Sequence, residues 1–150
     1  KDFVYYIVCS NDPNTCTTFY SNETNLNNGL NTSDKIYNYP SVSSRYDKSL
    51  TLISVVIKSN ETVLTISCKN DLANGWMNID RNAYIMANGS KYPLTRTEGI
   101  AYSPSYTYFS YQGESKTFKL HFQAIPQNTT SIDFVENANS QWRLYGISLK

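Results

Sequence analysis

Apolar and polar positions alternate along much of this chain, most regularly from Leu50 to its end. A period of two places successive side chains on opposite faces of a strand, so each such run predicts a β-strand with one buried face. In Thr62–Lys69, Leu64, Ile66 and Cys68 share one face, and Val63, Thr65 and Ser67 the other. Leu50–Lys58 precedes it across Ser59-Asn60-Glu61, and the two read as a hairpin. Tyr84–Ala87 and Lys91–Thr95 flank Asn88-Gly89, a pair that tolerates positive φ and so favours a two-residue hairpin turn. In Thr117–Gln123, Phe118, Leu120 and Phe122 form an apolar face, with Lys119, His121 and Gln123 opposite and Pro126 ending the strand. Ser131–Glu136 points Ile132 and Phe134 inward, and Trp142–Leu149 is the last strand. Trp76–Asp80, after Asn74-Gly75, and Tyr106–Tyr111, before Gly113, are shorter candidates. No window repeats apolar residues at the helical spacing of about 3.6. The expectation is an all-β fold, a two-sheet, immunoglobulin-like β-sandwich of about seven to nine strands.

The pattern is thinner before Leu50. Phe3–Val8 is aromatic and β-branched and reads as a strand. Ser10–Ser49 is rich in Asn, Ser and Thr and shows no sustained periodicity, so it reads as a loop or linker with one short strand near Thr17–Tyr20. Asn22–Ser33 has the composition of a disordered segment. The expected organisation is an N-terminal strand and linker over 1–49, then a β-domain over 50–150. A strand on so long a tether can pair with its own sheet or exchange between copies, so residues 3–8 are a candidate for a strand-swapped dimer.

Composition narrows the functional classes. A chain of 150 residues is the size of one domain and long enough to bury a full core. A net charge of +1 gives no basic surplus for nucleic acid. No apolar run approaches the roughly 20 residues of a membrane span. The chain begins at Lys1, which leads us to expect that a targeting segment has been removed. Three cysteines leave at least one without a partner in the chain. Cys9 and Cys16 are disulfide candidates around a short loop holding Pro13, and Cys68, at the end of an apolar face, is expected to be a buried small hydrophobe.

Candidate chemistry is sparse. His121 is the sole histidine, without Gly-x-Ser-x-Gly, and its place on the polar face of a strand predicts a solvent-facing side chain. One histidine and no Cys-x-x-Cys leave no usual zinc set. Glu98, Asp133 and Glu136 are the carboxylates to consider for glycoside cleavage, but their strand parities do not converge. Asn70-Asp71 and Asp80 with Asn82 suit turns better than calcium. The scattered glycines form no phosphate loop. No catalytic residue, metal or cofactor is expected.

The aromatic content changes the picture most. There are 13 tyrosines, and Tyr102, Tyr106, Tyr108 and Tyr111 cluster around Phe109. Tyrosines on strands are ordinarily half-buried with wet hydroxyls, whereas exposed flat rings stack on sugars or anchor adhesive contacts. These four are the candidate binding residues. Trp76 and Trp142 each begin an apolar strand and are expected in the core.

An ordered set of motifs adds a resemblance. Trp76-Met-Asn-Ile79, Asn88-Gly-Ser-Lys-Tyr-Pro-Leu94, Glu98-Gly-Ile100, Phe118-Lys-Leu-His-Phe122, Ile125-Pro126, Ser131-Ile-Asp-Phe-Val-Glu136 and Leu144-Tyr-Gly-Ile147 resemble β-domains of Bacteroidetes cell-envelope proteins, which often sit ahead of a thioredoxin-like or peroxiredoxin-like domain. The likeness covers about 50–150. Such domains often carry two cysteines before the final strand, where this chain reads Asn137-Ala-Asn-Ser-Gln141, so no redox or metal role tied to that pair carries over. The resemblance implies export to the periplasm or cell surface, with a lipid anchor as one means of attachment. It also implies that the Asn-x-Ser/Thr sequons at Asn22, Asn31, Asn60, Asn88 and Asn128 arise by chance. The function expected first is a non-catalytic accessory or interaction module of the envelope, meeting a protein or glycan. The alternatives are a carbohydrate-binding or adhesive module using the tyrosines, and the non-catalytic part of a thioredoxin-like enzyme.

Overall fold

The computed structural model describes residues 4–9, 16–21 and 34–150, with side chains from residue 34 onward. It divides into two compact units, Lys1–Ser33 and Asp34–Lys150. In the first, β1 (Val4–Cys9) pairs antiparallel with β2 (Cys16–Ser21) of the same chain, and the backbone register sets Cys9 opposite Cys16. The side chains of Cys9 and Cys16, Phe3, the Pro13 loop and Asn22–Ser33 lie outside the described residues.

The second unit is all-β. Its strands are β3 (Lys35–Asn38), β4 (Val42–Arg45), β5 (Leu50–Ile57), β6 (Thr62–Lys69), β7 (Trp76–Met77), β8 (Tyr84–Ala87), β9 (Ser90–Glu98), β10 (Thr107–Tyr108), β11 (Ser115–Phe122), β12 (Ser131–Val135) and β13 (Arg143–Ser148). Nine of them form one antiparallel sheet in the order β3-β5-β6-β11-β9-β8-β12-β13-β4, and β7 pairs separately with β10. Among the described residues no helix is long and apolar enough to cross a membrane.

The hydrogen bonding does not divide into the two sheets expected of a sandwich. It runs continuously through a curled sheet, and β9 is the corner. Ser90–Pro93 pair with β8, whereas Leu94–Glu98 pair with β11, with a register shift between His121 and Phe122. Such a shift bends a strand and lets it serve two leaves of a sheet. Aromatic rings on β11 meet side chains from the other leaf. Phe122 contacts Phe134 edge-on at 6.1 Å between centroids, and Phe118 stacks on Trp142 at 5.6 Å. One core contains Leu64, Ile66, Phe118, Leu120, Ile85, Phe134 and Ile147.

The sequence pattern explains these strands. The β5–β6 hairpin, the alternation in β6 and β11, and the tight β8–β9 turn are as expected. Ala87 pairs with Ser90 across Asn88 (φ 51°) and Gly89 (φ 78°). Two strands lie where a linker was expected: β3 pairs with β5, and β4 with β13, as the two edges of the sheet. Edge strands bury little, and Ile36 in β3 is exposed, so no alternation marks them.

Candidate functional site: an exposed aromatic ribbon beside a cleft

The β7–β10 ribbon sorts its side chains by parity. Met77, Ile79 and Phe109 point into the core and are buried, while Trp76, Tyr106 and Tyr108 stand on the other side and are exposed. Trp76 is directly opposite Tyr108 in the register. The Trp76 and Tyr106 rings lie 4.4 Å apart at an interplanar angle of 63°, and Tyr106 and Tyr108 lie 5.9 Å apart at 53°. Trp76 is 52% exposed and Tyr108 63%. The sequence expectation that Trp76 belongs to the core is therefore corrected. Met77 and Ile79 take the inward parity, which leaves Trp76 outside, and those two residues carried the signal.

The backbone beneath the ribbon is firmly tied. Phe109 N–H donates to Gly75 O at 2.9 Å, Ala101 N–H to Thr107 Oγ1 at 2.9 Å, and Asn78 Nδ2 to Ser105 O at 3.0 Å. Asn70 is the hub. Its buried amide donates to Leu72 O at 2.8 Å and Tyr111 O at 2.9 Å, and its Oδ1 accepts from Leu72 N–H at 3.2 Å. Gly75 passes so close that an added Cβ would overlap Asn70 Oδ1, so only glycine fits there without displacing the hub.

Beside the ribbon lies a cleft of about 380 Å³, lined by Asp47, Asn70, Asp71, Asn74, Trp76 and Trp142 among others. That is the low end of the roughly 300–1,000 Å³ typical of ligand sites. Asp47 accepts the Trp142 indole N–H at 3.1 Å and Ser49 N–H at 2.9 Å. Trp142 is half-buried against the core, as expected. Cys68 also lines the cleft, is buried, and lies 3.7 Å from the Ser49 hydroxyl. Burial pushes its thiol up, as do Asp47 and Asp71, so it stays a protonated, poor nucleophile near neutral pH.

The four tyrosines singled out in the sequence separate. Tyr106 and Tyr108 are on the ribbon. Tyr111 is exposed, but its ring pairs with none of the ribbon's among the described residues. Tyr102 is half-buried against the core, with the Arg81 guanidinium 4.0 Å over its ring. Trp76 takes the place in the cluster that Tyr102 was expected to fill.

The expectation of a solvent-facing His121 is also corrected. Its strand parity does turn it away from the core, yet it is only 4% exposed because neighbouring side chains cover it. Nδ1 lies 3.0 Å from Glu61 Oε2, and Nε2 lies 2.6 Å from Glu98 Oε2. Arg96 joins both carboxylates, at 3.6 and 3.9 Å. Burial raises the Glu61 carboxyl, but His121, Arg96 and Lys58 outweigh it and hold it below its ordinary value. The His121 hydrogen bond holds Glu98 below its ordinary value too.

The carboxylates considered for hydrolysis each have separate local partners. Glu98 faces His121, Asp133 accepts Gly146 N–H at 2.8 Å, and Glu136 accepts Asp80 N–H at 3.2 Å and the Ser140 hydroxyl at 2.6 Å. Among the described residues no group of three or more His, Cys, Asp or Glu side chains is placed to hold a metal ion. Asp80 Oδ1 instead accepts Asn82 N–H at 2.8 Å in a local turn.

No family model, curated protein or solved structure matches the chain.

Proposed function

We propose that this protein is a non-catalytic binding module that receives a carbohydrate on the β7–β10 ribbon. The exposed Trp76–Tyr106–Tyr108 cluster next to a cleft of mixed polar and apolar lining carries the reading. Single exposed aromatics are ordinary, but three whose rings touch form a contiguous patch, and such patches mark interaction surfaces. Sugar rings offer both chemistries the site presents: apolar C–H faces for aromatic rings, and hydroxyls for carboxylates and amides. The ribbon is also mounted rigidly, which lowers the entropy lost on binding. In this reading the two leaves of the curled sheet act as a sandwich-like frame, and the module works outside the cytoplasm at a bacterial envelope. That address rests on the resemblance set out above.

A glycan array tests the reading directly. The wild type is expected to give saturable signal on a subset of glycans. Tyr108→Ala is expected to weaken it about tenfold, roughly 1.4 kcal/mol, and Tyr106→Ala similarly. Tyr102→Ala is expected to lower stability more than glycan binding, since that ring packs on the core. Equal signal from the wild type and the Tyr106 and Tyr108 variants would remove the site.

A further inference from the structure

We infer that the ribbon and cleft take a soluble, uncharged single glycan chain, and neither the flat face of a crystalline polysaccharide nor a polyanion. This rests on the carbohydrate reading above and narrows it to a ligand class.

The ring geometry decides the first part. A crystalline polysaccharide presents a plane, and rings that bind it must lie in one plane. Here successive rings are inclined by 63° and 53°. No single flat surface can lie against all three faces. Mutually inclined rings instead form walls, which suit a chain that can enter between them and turn. Nor is the arrangement free to flatten by moving backbone. The ribbon is tied at Gly75, Asn78 and Thr107, and Met77 and Phe109 are anchored in the core beneath it. The cleft continues from Trp76, so a chain seated on the ribbon has a recess for its neighbouring unit.

The charge around the cleft decides the second part. Its lining carries two carboxylates, Asp47 and Asp71, and one ammonium, Lys69. A polyanion would meet net repulsion there, without the arginine forks that recognise carboxylate or sulfate groups. The polar lining mixes acceptors (Asp71) with an amide that both donates and accepts (Asn74). Sugar hydroxyls, which also do both, match that mixture.

Affinity electrophoresis and pull-down with the full chain test the inference. The probes are soluble xyloglucan and mannan as neutral chains, polygalacturonate as a polyanion, and microcrystalline cellulose and chitin as flat solids. The expected result is retardation by at least one soluble neutral chain and no binding to the solids or the polyanion. Retardation should change little between low and high salt, and Trp76→Ala should weaken it at least about tenfold with an unchanged melting temperature. Binding to a crystalline solid or to polygalacturonate that is lost in Trp76→Ala would overturn the ligand class and leave the carbohydrate reading standing. Retardation by neither neutral chain would overturn the ligand class, and absence of any saturable signal on the glycan array as well would overturn both. Binding that Trp76→Ala and Tyr108→Ala leave intact would overturn the site.

Discussion

His121 is held between carboxylates that reach it from the turn after β5 and from the end of β9. A carboxylate oxygen lies at each ring nitrogen, Glu61 Oε2 at 3.0 Å from Nδ1 and Glu98 Oε2 at 2.6 Å from Nε2. Replacing His121 by alanine leaves Glu61 and Glu98 facing each other, and we expect a loss of about 1–2 kcal/mol in urea unfolding near neutral pH. The pH dependence has a definite sign. Both carboxyls sit below their ordinary 4.5 in the fold. Their contribution is therefore complete above that value and is lost as pH falls through the lowered folded values. Wild-type stability should decline in that acidic window, and His121→Gln should flatten the decline. Glu136 behaves in the opposite sense. Burial, with Asp80 nearby, raises its carboxyl, against hydrogen bonds from Ser140 and the Asp80 backbone. Its contribution is present below the ordinary value and lost as pH rises through the raised one. Glu136→Gln should therefore gain on the wild type as pH rises, read by thermal melts from pH 4 to 8. A flat difference would contradict the assignment. None of this was legible in the sequence. Parity turned His121 outward correctly, but its cover comes from Glu61 and Glu98, 60 and 23 residues away.

Strands that bury a full face announce themselves, and strands that bury part of one do not. β6 and β11 lie in the middle of the sheet, and their alternation reads directly from Leu64, Ile66, Phe118 and Leu120. Phe122 sits at the bend where β9 changes partner, and Phe122→Ala should destabilise the fold by about 3–5 kcal/mol. β3 and β4 have only Tyr37 and Val42 packed on the core, too few to set a period. The ribbon was visible as a cluster of tyrosines, but two-residue strands give too short a pattern to tell which ring faces out. Gly75→Ala probes this element. The added Cβ strikes Asn70, so the Tyr111 and Leu72 contacts of that hub must shift. We expect a cost of about 1–3 kcal/mol and weaker glycan binding.

At the scale of the molecule, Asp34–Lys150 is one compact unit whose sheet is bounded by β3 and β4. A chain cut to 34–150 should fold and keep any binding. A chain cut to 50–150 strips both edges, exposes the ladders of β5 and β13, and should aggregate or unfold. Cooperative unfolding of the shorter fragment with undiminished stability would show that the edges are dispensable. On the exposed ribbon Trp76 supplies its own probe. The chain has two tryptophans, so Trp142→Phe leaves Trp76 as the only indole, half-exposed on the ribbon. The decisive measurement is the emission of that variant during titration with soluble neutral oligosaccharide. A saturable blue shift, abolished by Tyr108→Ala, is the predicted result. Because Trp142 also lines the cleft, binding by the Trp142→Phe chain is checked by affinity electrophoresis. An emission that does not move while that variant still binds the sugar would place the site away from the ribbon and contradict the account.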